Sequence, residues 1–201
     1  MGHRILAGGF FACLLLSGAA FARDDVLQNV PLKWSPTSTL AEIGPLDVSG
    51  ALLTTKIHVD AFTDARQNPA LVAENQEKTD HVRPVTTSSD VAAFLVDHLK
   101  ETLQHAGVTI VDGGADVTIT GEIRQFFVTE TSMYRGEVSV LLHVKNSAGK
   151  EIWTGVIGGA AERFGRSYRL DNYQETMSDM VLHAAYNLLA SPGFREALQK
   201  R

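Results

Sequence analysis

The chain has one cysteine in 201 residues, Cys13, and none after it. From residue 14 onward it therefore offers no disulfide, thiol nucleophile or thiolate metal ligand. Its stability must come from an ordinary apolar core, and a chain of this length is ample for one domain. Positive charge is also in short supply. Lys+Arg number 18 against Asp+Glu 23, a net charge of −5, which argues against general nucleic-acid binding because that needs phosphate neutralisation. The sequence contains no phosphate loop, nucleophile elbow or H-E-x-x-H zinc motif, and no internal repeat or low-complexity stretch.

What is present begins with a leader. Arg4, with His3, supplies a positive start, Ile5 to Leu16 an apolar stretch, and Ala20-Phe21-Ala22 a small-residue site ahead of Arg23-Asp24-Asp25. That pattern predicts a secretory signal cleaved after Ala22. Two alternatives compete. Ile5 to Ala22 is at the lower edge of what spans a bilayer as an uncleaved anchor, although Gly8, Gly9, Ser17 and Gly18 weaken it. Cys13 offers acylation as a lipoprotein, but Phe10-Phe11-Ala12 ahead of it is a poor lipobox and the apolar core runs on to Leu16.

Residues 23–50, broken by Pro31, Pro36, Pro45 and Gly50, read as an extended lead-in lying over the domain. Ile57, Val59 and Ala61 alternate with Lys56, His58 and Asp60, as a half-buried strand requires. Thr63 to Pro84 is polar and aperiodic and reads as a long surface loop. Thr87-Ser88-Ser89-Asp90 provides helix N-caps. Val91, Phe94, Leu95, Leu99, Thr102, Leu103 and Ala106 then form one apolar stripe, stopped by Gly107.

Three strands follow as an antiparallel meander. In the first, Val117, Ile119, Ile123 and Phe127 face inward, and Val138 to Val144 form the second. Asn146-Ser147-Ala148-Gly149 turns the chain into the third, Glu151 to about Ala161, which Gly155, Gly158 and Gly159 should weaken or bend. A second helix opens at Asp171 with Gln174 in capping-box spacing, buries Met177, Met180, Val181, Ala184, Leu188 and Leu189, and stops at Ser191-Pro192 before a short last helix. The expected fold is α+β in two layers: a mainly antiparallel sheet of about four strands with two long amphipathic helices packed on one face. Residues 1–22 are the signal peptide, 23–50 the lead-in and 51–201 a single domain.

Three constellations carry candidate chemistry. His98 and His105 share a helix face, but seven residues separate them by about 10 Å, too far for one metal. His58, Asp60 and Asp64 are the nearest approach to an acid–base cluster, with a solvated strand face as the plainer reading. Arg163, Arg166 and Arg169 concentrate three guanidinium groups just ahead of a helix N-terminus, where an anion or an acidic partner would dock. The plainer alternative pairs them with Glu162 or Asp171. Trp34, Tyr134, Trp153, Tyr168 and Tyr173 would line a groove or, more ordinarily, the core edge.

The run Ser88 to Leu198 resembles the YajG-type family of bacterial envelope lipoproteins, whose function is not established. The resemblance rests on Ser89-Asp90-Val91-Ala92-Ala93-Phe94-Leu95, Ala106-Gly107-Val108, Ala115-Asp116-Val117-Thr118-Ile119, the meander and Ser178-Asp179. Ser191-Pro192-Gly193-Phe194-Arg195-Glu196 and the earlier Leu32-Lys33-Trp34-Ser35-Pro36-Thr37 complete it. It implies a periplasm-facing envelope protein and carries over no site residue. Members of that family begin at an acylated cysteine, whereas this chain lacks a convincing lipobox, so membrane attachment stays open.

The resulting expectation is a non-enzymatic periplasmic protein that binds another envelope component, protein or lipid-derived, with Arg163, Arg166 and Arg169 as its anion or partner site. No cofactor, metal or nucleic acid is expected. The alternatives are a hydrolytic enzyme using His58, Asp60 and Asp64 with the Thr63 to Pro84 loop as a lid, and a self-associating protein that uses an unpaired strand edge as a homo-oligomer contact.

Overall fold

The computed structural model describes residues 26–78 and 80–201. The expected cleavage after Ala22, and acylation at Cys13, lie outside the described residues. An extended segment leads through two single turns, α1 (Leu40–Ile43) and α2 (Ala51–Thr54), into β1 (Lys56–Val59), β2 (Thr63–Asp64), β3 (Leu71–Asn75) and β4 (Arg83–Thr86). Then come α3 (Val91–His105), β5 (Thr109–Ile110), the long strands β6 (Val117–Glu130), β7 (Tyr134–Asn146) and β8 (Glu151–Arg163), and finally α4 (Leu170–Ala190) and α5 (Pro192–Gln199).

β6 is the spine of the sheet. One of its edges carries the expected meander, with β7 and then β8 antiparallel. Its other edge takes β1, β2 and β3 in succession, all parallel to it. β5 adds outside β1, and β4 adds antiparallel outside β3. The sheet is therefore mixed and eight-stranded, a correction to the expected four mainly antiparallel strands. The stretch Thr63 to Pro84, expected as a surface loop, contains β2, β3 and the start of β4. Leu71-Val72-Ala73 is too short to show alternation, and a strand buried beside its neighbours need not alternate. Arg66 holds the irregular link: it pairs with Asp64 at 2.7 Å and donates to the carbonyls of Pro69, Leu71 and Phe126. Burial would raise the Asp64 pKa, but hydrogen bonds from Arg66 more than offset this and hold it below the ordinary value.

A bulge in β6 resets the pleat. The register shifts between Ile123 and Gln125, leaving Arg124 and Gln125 both exposed. The inward set then becomes Phe126 and Val128, so Phe127, expected inward, is only half-buried. Both long helices lie on the inner face. α3 buries Val91, Phe94, Leu95, Leu99 and Leu103, with Phe94 edge-on to Phe126. The side chain of Asp90 caps it by accepting the Ala93 N–H at 3.0 Å. α4 buries the whole expected stripe and lies along β8 and β7.

α4 also buries polar side chains, Gln174, Ser178 and Asp179, that its apolar period does not explain. The lead-in accounts for them. Gln174 donates to the Pro31 carbonyl, Ser178 accepts the Ser35 N–H, and Asp179 accepts both the N–H and the hydroxyl of Thr37. Trp34 stacks on His98 at 4.2 Å. A third layer of extended backbone thus crosses the helices, held by backbone groups that would otherwise face water.

Candidate functional site

The strand register assembles one polar row across the end of the sheet. Asn75 pairs with Arg83 and with Glu130, Glu130 with Tyr134, and Tyr134 with Arg163. Residues in register point to the same face, so Arg83, Asn75, Glu130, Tyr134 and Arg163 all project inward at one level. Three connections leave from this row: residues 76–82, 131–133 and 164–169. Together they form a rim at that end of the molecule.

Glu130 organises the rim from below. It is 1 % exposed, a depth at which a carboxylate persists only when hydrogen-bonded. Its carboxylate accepts the Tyr173 hydroxyl and, at 2.9 and 3.2 Å, the Tyr168 N–H. Burial would raise its pKa, but donors from Asn75, Tyr173, Ser167 and the Tyr168 backbone outweigh burial and hold it below the ordinary carboxylate value. Burial, reinforced by the neighbouring Glu130 charge, pushes the Tyr173 hydroxyl far up. Tyr134 is raised too, again chiefly by burial. The pair is therefore a carboxylate and a neutral phenol.

These groups fix the 164–169 connection. Tyr134 donates to the Arg166 carbonyl at 2.6 Å and accepts the Arg169 N–H at 3.2 Å. Asn172 donates to the same Arg166 carbonyl, Asn75 donates to Ser167, and Ser167 donates to Glu77. Tyr168 sits at φ +54, a left-handed conformation costly for an aromatic residue. It is retained because its N–H is committed to Glu130 and its hydroxyl is bonded to the Leu27 N–H and the Pro84 carbonyl.

The three sequence-predicted arginines divide. Arg163 turns inward and ion-pairs with Glu175 of α4, so it does not face a ligand. Arg166 and Arg169 are exposed, and among the described residues neither guanidinium has an ion-pair or hydrogen-bond partner. Glu162, one expected partner, pairs with Arg135 at 2.9 Å instead. α4 opens one residue earlier than expected: Arg169 is its N-cap, without a side-chain cap, and Asp171 lies in the first turn. Sequence reading missed Arg83, whose guanidinium lies 3.9 Å from the centre of the Tyr168 ring. No sequence motif links Arg83 to the other arginines; the β3–β4 pairing brings it there.

His58, Asp60 and Asp64 are not brought together. The His58 ring meets the Val111 carbonyl, Asp60 accepts the Ala61 N–H beside it, and Asp64 is taken by Arg66. The hydrolytic alternative requires them to converge. No group of three His, Cys, Asp or Glu among the described residues is placed to hold a metal. The aromatics do not share a groove either. Tyr134 and Tyr173 are buried edge-to-face, Trp153 packs on Phe194, and Trp34 lines a cleft of about 400 Å³ with Pro36, Leu40, His105 and Leu182.

A family model described as "Uncharacterized lipoprotein" matches residues 54–189. No curated protein matches the sequence. Among solved structures, a protein of Xanthomonas campestris is similar with a TM-score of 0.54 at 10% identity, covering 73% of this chain and 86% of that one. A candidate lipoprotein of Caulobacter crescentus is similar at TM-score 0.43, 11% identity and 64% and 89% coverage. The PelC dodecamer of Paraburkholderia phytofirmans gives 0.40, 13%, and 71% and 92%. At such identities the likeness concerns the fold alone.

Proposed function

The chain belongs to this family of uncharacterised lipoproteins, and on that premise we propose that it is a non-enzymatic, periplasm-facing protein of the cell envelope that binds another envelope component, protein or lipid-derived. On this reading the leader is cleaved after Ala22, with retention as an anchor or acylation at Cys13 as the alternatives. The supporting observation is the rim, where Arg166 and Arg169, exposed and without an ion-pair partner among the described residues, stand on a connection immobilised by the buried Glu130. A ligand-free loop held this firmly loses little entropy on binding. A photo-crosslinking residue placed at Arg166 in the exported protein is expected to capture a second envelope component. The same residue at Thr154, on the open sheet face, should not. Recovery of the chain alone from both positions counts against the proposal.

A second reading, self-association, is favoured by β8. Among the described residues it runs 13 residues with β7 on one side only, and a long unpaired edge invites another strand. Light scattering at high protein concentration is expected to give a dimer or larger species on this reading. A monomer dismisses it.

A further inference from the structure

Residues 26–30, the first that the structure describes, lie beside β4. Val30 bridges Thr87 in parallel, its N–H donates to the Thr86 carbonyl, and the Leu27 carbonyl accepts the Thr86 N–H. β4 starts at the rim with Arg83 and runs away from it, so the parallel segment 27–30 also runs away. Traced backwards, the chain approaches the rim, and there the Leu27 N–H donates to the Tyr168 hydroxyl.

Exposed apolar side chains gather at the same place. Of the five large hydrophobics exposed among the described residues, Leu53 and Val156 lie elsewhere, while Val26, Val82 and Phe164 adjoin Leu27, Arg83 and the Tyr168 connection. Phe164 is 78% exposed, left uncovered by the described residues. On the same 164–169 connection Arg166 and Arg169 are exposed, neither in an ion pair among the described residues, on a chain whose net charge is −5.

We propose that this rim is a lipid-docking surface, seating Phe164 in the headgroup layer of an anionic bilayer with Arg166 and Arg169 against its phosphates. The inference rests on the binding reading above and names its occupant. The rim offers one exposed aromatic and two valines beside guanidinium groups, less apolar surface than the centre of a stable protein interface buries. Aromatic rings at headgroup depth, with arginines reaching phosphate, match a membrane interface.

The test uses the chain from Arg23. That is the form the proposed cleavage after Ala22 leaves; it carries no acyl group, and among the described residues every buried core side chain lies between Val30 and Leu198. Sedimentation with phosphatidylglycerol-containing vesicles is expected, with little from pure phosphatidylcholine, and it should weaken as salt is added. F164S should reduce the partition coefficient about tenfold, and R166Q and R169Q about fivefold each. V156S, at an apolar site 58% exposed on the open sheet face, should change nothing. F164W should shift its emission to the blue with phosphatidylglycerol vesicles alone. The proposal is overturned by absence of binding to either lipid, by equal binding to both that ignores the arginines, or by V156S losing as much as F164S. A protein crosslinked through position 166 while vesicles stay unbound also overturns lipid docking, yet leaves the broader binding reading intact.

Discussion

Glu130→Gln is expected to destabilise the domain by about 3 kcal/mol at neutral pH, because it puts an amide where the buried carboxylate gathers donors. The Tyr173 hydroxyl and the Tyr168 N–H both donate to Glu130. A glutamine keeps only one acceptor and turns its NH2 group toward them. For a domain of this size the midpoint should fall by about 6–12 °C. The pH dependence follows from the direction of the pKa shift. The folded-state pKa of Glu130 is depressed, so its contribution is fully present above the unfolded value of about 4.3 and is lost as pH falls through the folded value. Wild type should therefore lose stability in that acid window, and the gap between wild type and E130Q should close there. A gap that persists unchanged at pH 3 would show that the carboxylate charge is not what matters. Trypsin gives an independent readout. Arg166 and Arg169 stand on the connection that Glu130 holds, so E130Q should be cut there faster while the sheet remains folded. Tyr173→Phe removes a single donor and should cost less, about 1–2 kcal/mol.

The parts of this fold that were legible in sequence are those in which one element carries its own period. The stripe from Val91 to Leu103, the stripe from Met177 to Leu189, and the alternation of Val138, Val140, Leu142 and Val144 each decide an element without reference to a neighbour. What was not legible depends on pairing. β2 and β5 are two residues each and exist only because β6 and β1 offer them an edge. β3 is a Leu-Val-Ala run whose burial comes from neighbours on both sides. The inward direction of Phe126 depends on a bulge that no residue type announces. The candidate site divides in the same way. Arg166 and Arg169 were visible as a local concentration of charge ahead of a helix. Arg83 and Glu130 lie some 80 and 36 residues before Arg166, and only strand register unites them. Glu130 in particular closes a Thr/Glu-rich strand end and reads there as a solvated residue.

The glycines of β8 were expected to weaken or bend the strand; β8 pairs with β7 from end to end, with one shift near Lys145. Their role lies in the other direction, toward the helix. Gly159 faces inward beneath α4, where an added Cβ would lie 2.5 Å from the Ala184 nitrogen and closer still to the Met180 carbonyl oxygen. Both are helix backbone and cannot rotate away. Gly159→Ala is therefore expected to destabilise by about 3 kcal/mol, at the upper end for overpacking, because α4 must lift from the sheet along its most buried turn. Gly159→Val should leave little folded protein. Gly158→Ala, one residue away, points to the open face, where its nearest neighbour would be the Val138 carbonyl at 3.3 Å; it should cost less than about 1 kcal/mol. Chemical denaturation of the two alanine variants side by side separates helix contact from glycine content, since both remove one glycine from the same strand. Equal losses would place the cause in the strand's backbone entropy instead. The comparison also reaches the rim, because α4 begins at Leu170 and carries Tyr173 and Glu175, the partners of Glu130 and Arg163. A helix displaced at Met180 and Ala184 pulls on both anchors. G159A should therefore speed tryptic cleavage at Arg166 and Arg169, while G158A should not.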